Sequence, residues 1–322
     1  MDQGQLGMND CCSECGKEEG GAGVRLKVCK SCMHAKYCNA SCQKNHWASH
    51  KKDCKQRAAE LHDEALFKDP PAKEDCPICF LPIPKKMICC ISLPPATTSS
   101  VPIYDFAIAH KEIANENRET YFTCCGKSIC EGCLYSCHKS EIDNRCPFCN
   151  VDRGSSKTEM VMKRVEANDP ASIFILGDHY YKGVAGIQQD RTKAKDLWNR
   201  AAELGHSNAH YYLAEVYFDE GDMKKAMFHC EAAAMAGHEN ARYNRGCVEY
   251  DYGNIERALK HWTIAASAGD YHAMNRLRTF FEKGHVSRES IYSTLTAYNY
   301  SCVEMRSEAR DASIYAAMTE TI

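Results

Sequence analysis

The chain has 322 residues, of which 44% are hydrophobic and 26% are charged, and its formal net charge at pH 7 is −3. This composition is typical of a globular protein of two or three domains, and it excludes a chain that is disordered throughout. The sequence opens without a basic and apolar leader, and no apolar run is long enough to cross a bilayer. We therefore expect a cytoplasmic or nuclear protein without a membrane segment.

The 22 cysteines are unevenly distributed, because 19 of them precede residue 150. In a reducing compartment, closely spaced cysteines bind metal more often than they form disulfides. The front half of the chain is therefore predicted to hold metal sites. The back half, which retains only Cys230, Cys247 and Cys302, is predicted to be an ordinary folded region.

The first block of potential ligands lies within the first 54 residues. Its four pairs are Cys12 and Cys15, Cys29 and Cys32, Cys38 and Cys42, and His50 and Cys54. A domain this short buries little apolar surface, whereas a structural zinc site contributes on the order of 10 kcal/mol to folding. We expect the segment 11–56 to fold around two zinc ions and to be unfolded without them.

This block resembles the MYND zinc finger over residues 12–54, through the phrases Tyr37-Cys38, Cys42-Gln43 and Trp47-x2-His50. The resemblance implies two interleaved ligand sets, which are Cys12, Cys15, Cys38 and Cys42 for one ion and Cys29, Cys32, His50 and Cys54 for the other. Cys11 is an alternative to Cys12, and His46 is an alternative to His50. Residues 42, 46, 50 and 54 recur every four positions, so His46 is interpreted as a residue on the face of a helix.

The same helix carries Gln43 and Trp47. In MYND domains the corresponding positions help to bind short, extended, proline-containing peptides, so the resemblance implies a peptide-docking surface here. The alternative for Trp47 is packing against the zinc core.

Nine Lys or Arg residues and a single acidic residue occupy positions 24–57, a pattern that also fits a nucleic-acid-binding zinc protein. The zinc-bound thiolates would offset much of that positive charge, and no base-reading motif is present. Nucleic acid is therefore the second alternative for the function, after a ubiquitin ligase.

A charged segment at 57–73 is predicted to link the first block to a second cysteine-rich region at 74–153. This region reads Cys76-Pro77-Ile78-Cys79, Cys124-Cys125-Gly126-Lys127, Cys130-Glu131-Gly132-Cys133 and Cys146-Pro147-Phe148-Cys149. It resembles a RING-type finger, whose cross-brace implies one zinc ion on Cys76, Cys79, Cys130 and Cys133.

A second ion in this region needs two ligands besides Cys146 and Cys149. The usual histidine position of the family holds Lys127, whose ammonium cannot bind zinc. We assign Cys124 and Cys125 to this ion, with Cys137 or His138 as alternatives and Cys89 or Cys90 as weaker ones. Four zinc ions, two per finger, are then expected. The segment 80–123 is predicted to be a long loop with a short helix at 104–117.

Many RING fingers are ubiquitin-protein ligases that position a charged conjugating enzyme without covalent chemistry of their own. By this resemblance, Ile78 and Pro147 occupy the positions at which the conjugating enzyme docks. Active ligases often carry a cation directly after the last ligand, where this chain has Asn150. Ligase activity is therefore the first alternative for the function, and a protein-docking module is the simpler interpretation.

Beyond residue 158, small residues recur every 32 positions. The repeated columns are Ala194/Ala226/Ala258, Ala201/Ala233/Ala265, Ala202/Ala234/Ala266, Gly205/Gly237/Gly269 and Ala209/Ala241/Ala273. This period predicts stacked helix pairs, with a glycine in the left-handed conformation at the end of each second helix. Trp198, Cys230 and Trp262 form a further column, which predicts that Cys230 is a core residue.

These units resemble Sel-one-like repeats, a branch of the tetratricopeptide type, from about residue 168 to at least residue 273. A diverged fourth pair and a capping helix are expected to complete an all-α solenoid at 158–320. The resemblance implies a concave surface that holds another protein. Seven repeat histidines (179, 206, 210, 229, 238, 261 and 272) are scattered over several columns, so we interpret them as packing or surface residues.

No phosphate-binding loop, nucleophile elbow or HExxH motif is present, and we assign no catalytic residue. The sequence therefore predicts a multidomain protein with two small zinc-stabilised fingers followed by an all-α helical-repeat solenoid. We interpret it as an adaptor that recruits protein partners.

Overall fold

A computed structural model describes residues 11–20, 23–83, 119–140, 145–152 and 157–320 of the chain. It divides into two compact units, residues 1–68 and residues 69–322. Most of the predicted loop at 80–123, including the helix expected at 104–117 and the weaker ligand candidates Cys89 and Cys90, lies outside the described residues.

The first unit is a small antiparallel ribbon followed by one long helix. Strand β1 (Lys27–Val28) pairs with β2 (Lys36–Tyr37), and helix α1 spans Ala40–Leu66. The side chain of Asn39 caps α1 by accepting a hydrogen bond from the Cys42 N–H at 2.8 Å. Apart from its cysteines, the core consists of little more than Leu26, Ala35 and Tyr37, which leaves the cysteines as the main buried material.

Helix α1 extends well beyond the finger that the sequence predicts. The sequence predicts a linker at 57–73, yet its first ten residues continue α1 as far as Leu66. Alanine, glutamate and leucine dominate this stretch and favour helix, and no glycine or proline occurs before Pro70. Only residues 67–73 are therefore irregular.

The second unit begins with a finger that the structure describes at residues 74–83, 119–140 and 145–152, hereafter the second finger. Strand β3 (Glu119–Phe122) pairs with β4 (Lys127–Cys130) in an antiparallel hairpin, and helix α2 (Glu131–Lys139) follows directly. Ile83, Phe122 and Ile129 form its apolar core together with four buried cysteines. The end of the predicted loop thus forms β3.

Ten helices follow the second finger in the described part of the chain. They are α3 (Lys157–Glu166), α4 (Pro170–Lys182), α5 (Arg191–Glu203), α6 (Ser207–Asp219), α7 (Met223–Met235), α8 (Glu239–Asp251), α9 (Ile255–Ser267), α10 (Tyr271–Glu282), α11 (Arg288–Glu304) and α12 (Glu308–Glu320). From α4 to α11 they form four antiparallel pairs, so the predicted fourth pair is α10 and α11.

The helical array is held together by the alanine columns and by large aromatic side chains. Ala194, Ala226 and Ala258 are almost completely buried, as are Trp198 and Trp262. Gly205, Gly237 and Gly269 have φ values of 85°, 82° and 101°, so the predicted left-handed glycines are confirmed. No described helix has both the length and the apolar character required to span a membrane.

The second finger packs on both ends of this array. At the first end, the Tyr121 hydroxyl donates to Asp169 at 2.6 Å, and the Arg164 guanidinium donates to the Thr123 carbonyl at 2.7 Å. At the other end, α2 packs against α12. The finger and the repeats therefore form one body, an arrangement that the sequence left open.

Candidate functional site

The structure brings together each of the four ligand sets that the sequence predicts. Within each set, the ligand atoms all lie within 4.8 Å of one another. The sets are Cys12, Cys15, Cys38 and Cys42; Cys29, Cys32, His50 and Cys54; Cys76, Cys79, Cys130 and Cys133; and Cys124, Cys125, Cys146 and Cys149. The interleaved order is the one that the family resemblances imply.

The distances within these sets fit a tetrahedral zinc ion. A Zn–S bond of about 2.3 Å in a regular tetrahedron places two sulfur atoms about 3.8 Å apart. The sulfur pairs Cys15–Cys38, Cys29–Cys54 and Cys79–Cys130 are separated by 3.6, 3.7 and 3.8 Å. The Cys32 sulfur lies 3.4 Å from His50 Nε2, as expected for the shorter Zn–N bond. These sets suit zinc and are too widely spaced for disulfides.

A common turn explains why the C-x2-C pairs point both sulfur atoms inward. In four of the five pairs, the residue after the second cysteine has a positive φ, and its N–H donates to the carbonyl of the first cysteine at 2.8–2.9 Å. These residues are Gly16, Met33, Phe80 and Asn150, with φ values of 70°, 52°, 55° and 59°. Asn150 fits this requirement because asparagine tolerates the left-handed region. The exception among the pairs is Cys130 and Cys133, which lie at the start of helix α2.

The backbone of this turn also stabilises the thiolate of the first cysteine. Burial by itself raises the pKa of Cys12, but N–H groups of Cys15, Cys38 and Glu14 point at its sulfur and bring the pKa down to about 6. In the same way the pKa of Cys29 falls to about 6, and those of Cys76 and Cys146 fall to about 7. Each of the four sets thus contains one cysteine prepared as a thiolate.

The remaining thiols in the same sets show why a cation is required. The neighbouring Cys38 thiol, burial and the other cysteines of the set raise the pKa of Cys42 to about 12. Burial and the sulfur atoms of Cys29 and Cys32 raise the pKa of Cys54 to about 12. Three or four thiolates are unfavourable in such a volume without a positive ion at the centre, and Zn²⁺ both supplies that charge and binds sulfur ligands.

His46, the alternative ligand, lies outside the ligand sets and supports one of them. Its Nδ1 is 2.9 Å from the Tyr37 hydroxyl, and its ring stacks on His50 with a centroid distance of 5.3 Å. Contacts of this kind fix the orientation of a metal-binding imidazole. The interpretation of His46 as a helix-face residue agrees with this geometry.

In the second finger, adjacent Cys124 and Cys125 join one set because they lie in the tight turn between β3 and β4. The Gly126 N–H closes this turn on the Phe122 carbonyl at 2.7 Å. In an extended strand two successive side chains would point to opposite faces, whereas a turn lets them converge. Lys127 lies over the Phe148 ring at 4.7 Å, and neither Cys137 nor His138 is in the set.

A buried arginine from the far end of the chain lies against the other set of the second finger. Arg310 is only 5% exposed, and its Nη2 lies 3.6 Å from the Cys79 sulfur and 3.3 Å from the Leu81 carbonyl. Its Nη1 donates to the Met305 carbonyl at 2.7 Å. A zinc ion with four thiolates carries a net charge of −2, which this guanidinium partly balances. Sequence spacing gives no indication of this contact.

The residues predicted to bind partners differ in their exposure. Gln43 is exposed, and Trp47 is 43% exposed while its ring also packs edge-to-face on His50 at 6.3 Å. Ile78 is 39% exposed and Pro147 is half-buried. Phe80, which the sequence analysis did not select, is 78% exposed in the same turn as Ile78.

The repeat histidines take no part in the four ligand sets of the described residues. His206 and His238 instead cap α6 and α8, because the Nδ1 of each accepts from the backbone N–H three residues later. The Nδ1 atoms of His210 and His229 lie 3.0 Å apart between α6 and α7. Their scatter over several columns was correctly interpreted, but the capping role was missed.

The fold and the metal sets together define a zinc-finger protein with a helical-repeat array. Residues 12–54 match the family model of the MYND finger, and residues 170–206, 207–238 and 240–270 match that of the Sel1 repeat. The chain therefore contains a MYND finger and three Sel1 repeats, which confirms both resemblances. The resemblance of the second finger to a RING stays a prediction.

Three solved structures illustrate the similarity. A Sel1 repeat protein from Oxalobacter formigenes is 26% identical, with a TM-score of 0.34, and the match covers 37% of this chain and 95% of that one. The protective antigen c5321 of uropathogenic Escherichia coli is 20% identical, with a TM-score of 0.35 and coverages of 50% and 39%. The immunity protein Pa5087 from Pseudomonas aeruginosa is 16% identical, with a TM-score of 0.29 and coverages of 53% and 82%.

Proposed function

We propose that the protein is a zinc-dependent adaptor, which holds four zinc ions and recruits protein partners through the MYND finger and the repeats. MYND fingers and Sel1 repeats are typical protein-interaction modules. The observation that carries the proposal is the position of Trp47. Its ring rests on the ligand His50 and yet leaves 43% of its surface exposed, so the metal set fixes a large aromatic side chain for a partner.

The ligand of this surface is proposed to be a short, extended, proline-containing peptide, with Gln43 as a polar contact beside Trp47. Titration of the full-length protein with a panel of such peptides tests this directly. Trp47→Ala should lower the affinity for the tightest-binding peptide at least tenfold, while the zinc content stays unchanged. Lys44→Ala, at an exposed position of the same helix, serves as the matched control. Equal binding by Trp47→Ala and the unaltered protein would refute the proposal.

The number of ions is tested separately, by elemental analysis of carefully reduced protein. Four zinc atoms per chain are expected, two in each finger, and fewer than three would contradict the assignment. Replacing the Cys124-Cys125 pair by serine should lower the content by one ion. The set Cys76, Cys79, Cys130 and Cys133 should keep its zinc in that variant.

A ubiquitin-protein ligase is the second candidate, and the exposed turn of the second finger favours it. Ile78 and Phe80 together present an apolar surface of the kind that a conjugating enzyme could cover. Incubation with ubiquitin, its activating enzyme and a panel of conjugating enzymes tests this function. Formation of ubiquitin chains that is lost in Ile78→Ala would support ligase activity. If no conjugating enzyme gives chains, the adaptor function is the one that remains.

A protein ligand on the concave face of the repeats completes the proposal. Nucleic acid is the remaining competitor, because basic residues cluster in the first finger. Binding to DNA or RNA that collapses between low and moderate salt would favour that competitor. The absence of such salt-sensitive binding to DNA or RNA would favour a protein ligand.

A further inference from the structure

Residues 69–73, hereafter the strap, run from the first unit to the second finger and lie against the turns between successive repeats. Pro71 packs on Gly237, which has a positive φ in the turn between α7 and α8. A Cβ atom at this glycine would lie 3.3 Å from Pro71 Cδ and would press on the proline, while the positive φ itself favours glycine. The strap is thus seated on the array.

The ammonium of Lys73 enters a polar pocket of the repeats, hereafter the lysine pocket. Its Nζ lies 2.8 Å from Glu239 Oε1, 3.0 Å from the Ala268 carbonyl and 3.3 Å from the Met305 sulfur. Two of the three N–H donors of the ammonium are used by the Ala268 carbonyl and the Met305 sulfur, and Glu239 adds an ion pair. Glu239 is only 6% exposed, so its buried charge depends on the cation that lies against it, Lys73.

Helix ends strengthen the lysine pocket. Glu239 occupies the first turn of α8, where a negative charge is favourable. Ala268 and Met305 are the C-cap residues of α9 and α11, where a positive charge is favourable. The Ser301 hydroxyl donates to the same Ala268 carbonyl at 2.9 Å and so fixes its position. A compact ammonium suits three converging acceptors better than a planar guanidinium does.

The lysine pocket is particular to the third repeat. The positions equivalent to Glu239 in α4, α6 and α10 are Pro170, Ser207 and Tyr271, none of which is acidic. The array therefore contains one pocket of this kind at this column of the described helices. A structural role common to all repeats does not explain it.

The strap also shows which residue types such a pocket recognises. Pro71 and Lys73 both contact the repeats. Ala72, between them, is exposed. The contacts thus select proline and lysine separated by one free position, with Pro70 lying 3.7 Å from the same glycine site.

We propose that the lysine pocket is a docking site for extended Pro-Pro-x-Lys segments, which the strap occupies in cis. A partner polypeptide with an exposed segment of this chemistry binds there when it displaces the strap. Attachment to the same chain gives the strap an effective concentration in the millimolar range, so a weak site is filled in cis. This site is separate from the MYND surface, and the proposal does not rest on it.

The test uses the full-length protein and a fluorescent synthetic peptide with the sequence of residues 68–75. Lys73→Ala empties the pocket in cis, and this variant should bind the peptide at least tenfold more tightly than the unaltered protein does. A peptide with alanine in place of the lysine at position 73 should bind at least tenfold more weakly. Adding Glu239→Gln to Lys73→Ala should abolish the difference between the two peptides.

Lys68→Ala, at an exposed position near the strap, is the matched control and should behave like the unaltered protein. Failure of Lys73→Ala to prefer the lysine peptide, or a preference that survives Glu239→Gln, overturns the proposal. If Lys73→Ala does not fold, hydrogen exchange of the unaltered protein decides. Millimolar lysine peptide should then speed exchange at residues 72–74, and no change would overturn the proposal. Trp47→Ala should leave all these results unchanged.

Discussion

At the scale of single residues, the two buried tryptophans of the repeats depend on glycines that face them. Trp198 and Trp262 are the eighth residues of α5 and α9, and Gly177 and Gly246 are the eighth residues of α4 and α8. A Cβ at either glycine would lie 2.6 Å from the indole of its tryptophan. In the second repeat, Ala214 occupies the glycine position and Cys230 occupies the tryptophan position. The smaller cysteine side chain thus accompanies the larger alanine.

Gly177→Ala is therefore expected to destabilise the repeats by about 1–3 kcal/mol, because the added methyl overpacks the indole of Trp198. Unfolding in urea, followed by tryptophan fluorescence, measures the change. The control is Ala214→Gly, which should cost only about 1 kcal/mol through helix propensity. A Gly177→Ala protein as stable as the original would show that the array relaxes around the extra atom.

His229 makes the second repeat sensitive to acid. Burial, His210 and Lys225 lower its pKa from 6.5 to about 4, while the rings of Tyr217 and Phe228 pack against it. The unfolded chain therefore takes up a proton near pH 6.5, whereas the folded chain does so only near pH 4. Stability is full above this window and falls on acidification through it, by on the order of 3 kcal/mol.

Protection of the α6 and α7 amides from hydrogen exchange, corrected for intrinsic rates, should therefore decrease between pH 6.5 and 4. His229→Asn removes the titrating group and should flatten this decrease. His285→Asn, at an exposed position, should leave the decrease as it is. The same slope in His229→Asn would assign the acid sensitivity to another group.

At the scale of elements, α8 differs from its sister helices by a buried charge network. Its seventh residue is Arg245, where α4, α6 and α10 have Leu176, Leu213 and Leu277. Arg245 Nη2 lies 2.7 Å from Glu249 Oε1, and Arg257 Nε lies 3.0 Å from the same oxygen. Asn254 donates to the other oxygen at 2.8 Å, so the carboxylate is well satisfied.

Removal of this carboxylate by Glu249→Ala leaves Arg245 buried without its closest partner. Glu231 Oε2 remains 3.7 Å from Arg245 Nε. A loss of about 3 kcal/mol is therefore expected, at the lower end of the cost of breaking a buried pair and still well above what a surface pair contributes. Thermal unfolding of the full-length protein checks the magnitude. Glu256→Ala, an exposed site on α9, should change stability by less than about 0.5 kcal/mol. Similar effects of the two variants would contradict this account of α8.

The ligand sets and the helix pairs could be predicted from the sequence because their information is local. Spacing within a C-x2-C pair fixes a turn, and the 32-residue period fixes which residues face a neighbouring helix. The contacts of Lys73 with Glu239 and of Arg310 with Cys79 join positions far apart in the chain. Sequence periodicity cannot predict contacts between such distant residues. The one indication is that residue 239 is acidic, whereas the equivalent residues of the other repeats are not.

At the scale of the whole molecule, metal and helical array are coupled through the second finger. Chelation of zinc should unfold both fingers, because their cores consist mostly of cysteine ligands. The helices from α5 to α9 contain no ligand and bury their own aromatic and alanine core. Hydrogen exchange after chelation should therefore show loss of protection in α2 and α12 and retention from α5 to α9.

Arg310→Leu tests the coupling between the second finger and the helical array while all zinc ligands stay intact. Loss of the guanidinium removes its contacts with the Cys79 sulfur and the Leu81 carbonyl, which then keeps only the Cys76 N–H. Helix α12 should therefore exchange faster, and a chelator should remove zinc several-fold faster. Arg306→Leu, whose side chain is 43% exposed, is the control. Unchanged zinc release in Arg310→Leu would show that α12 only rests on the finger.

Because Tyr121 contacts Asp169 before the first repeat and Arg310 contacts Cys79 after the last, both ends of the described array are anchored on the second finger. Open solenoids gain and lose units readily, since each new unit touches only its neighbours. Here an additional 32-residue unit would move the two ends of the array further apart. The second finger could then no longer contact both ends at once. Lineages of this protein should therefore vary in loops and surface residues while the number of helix pairs stays constant.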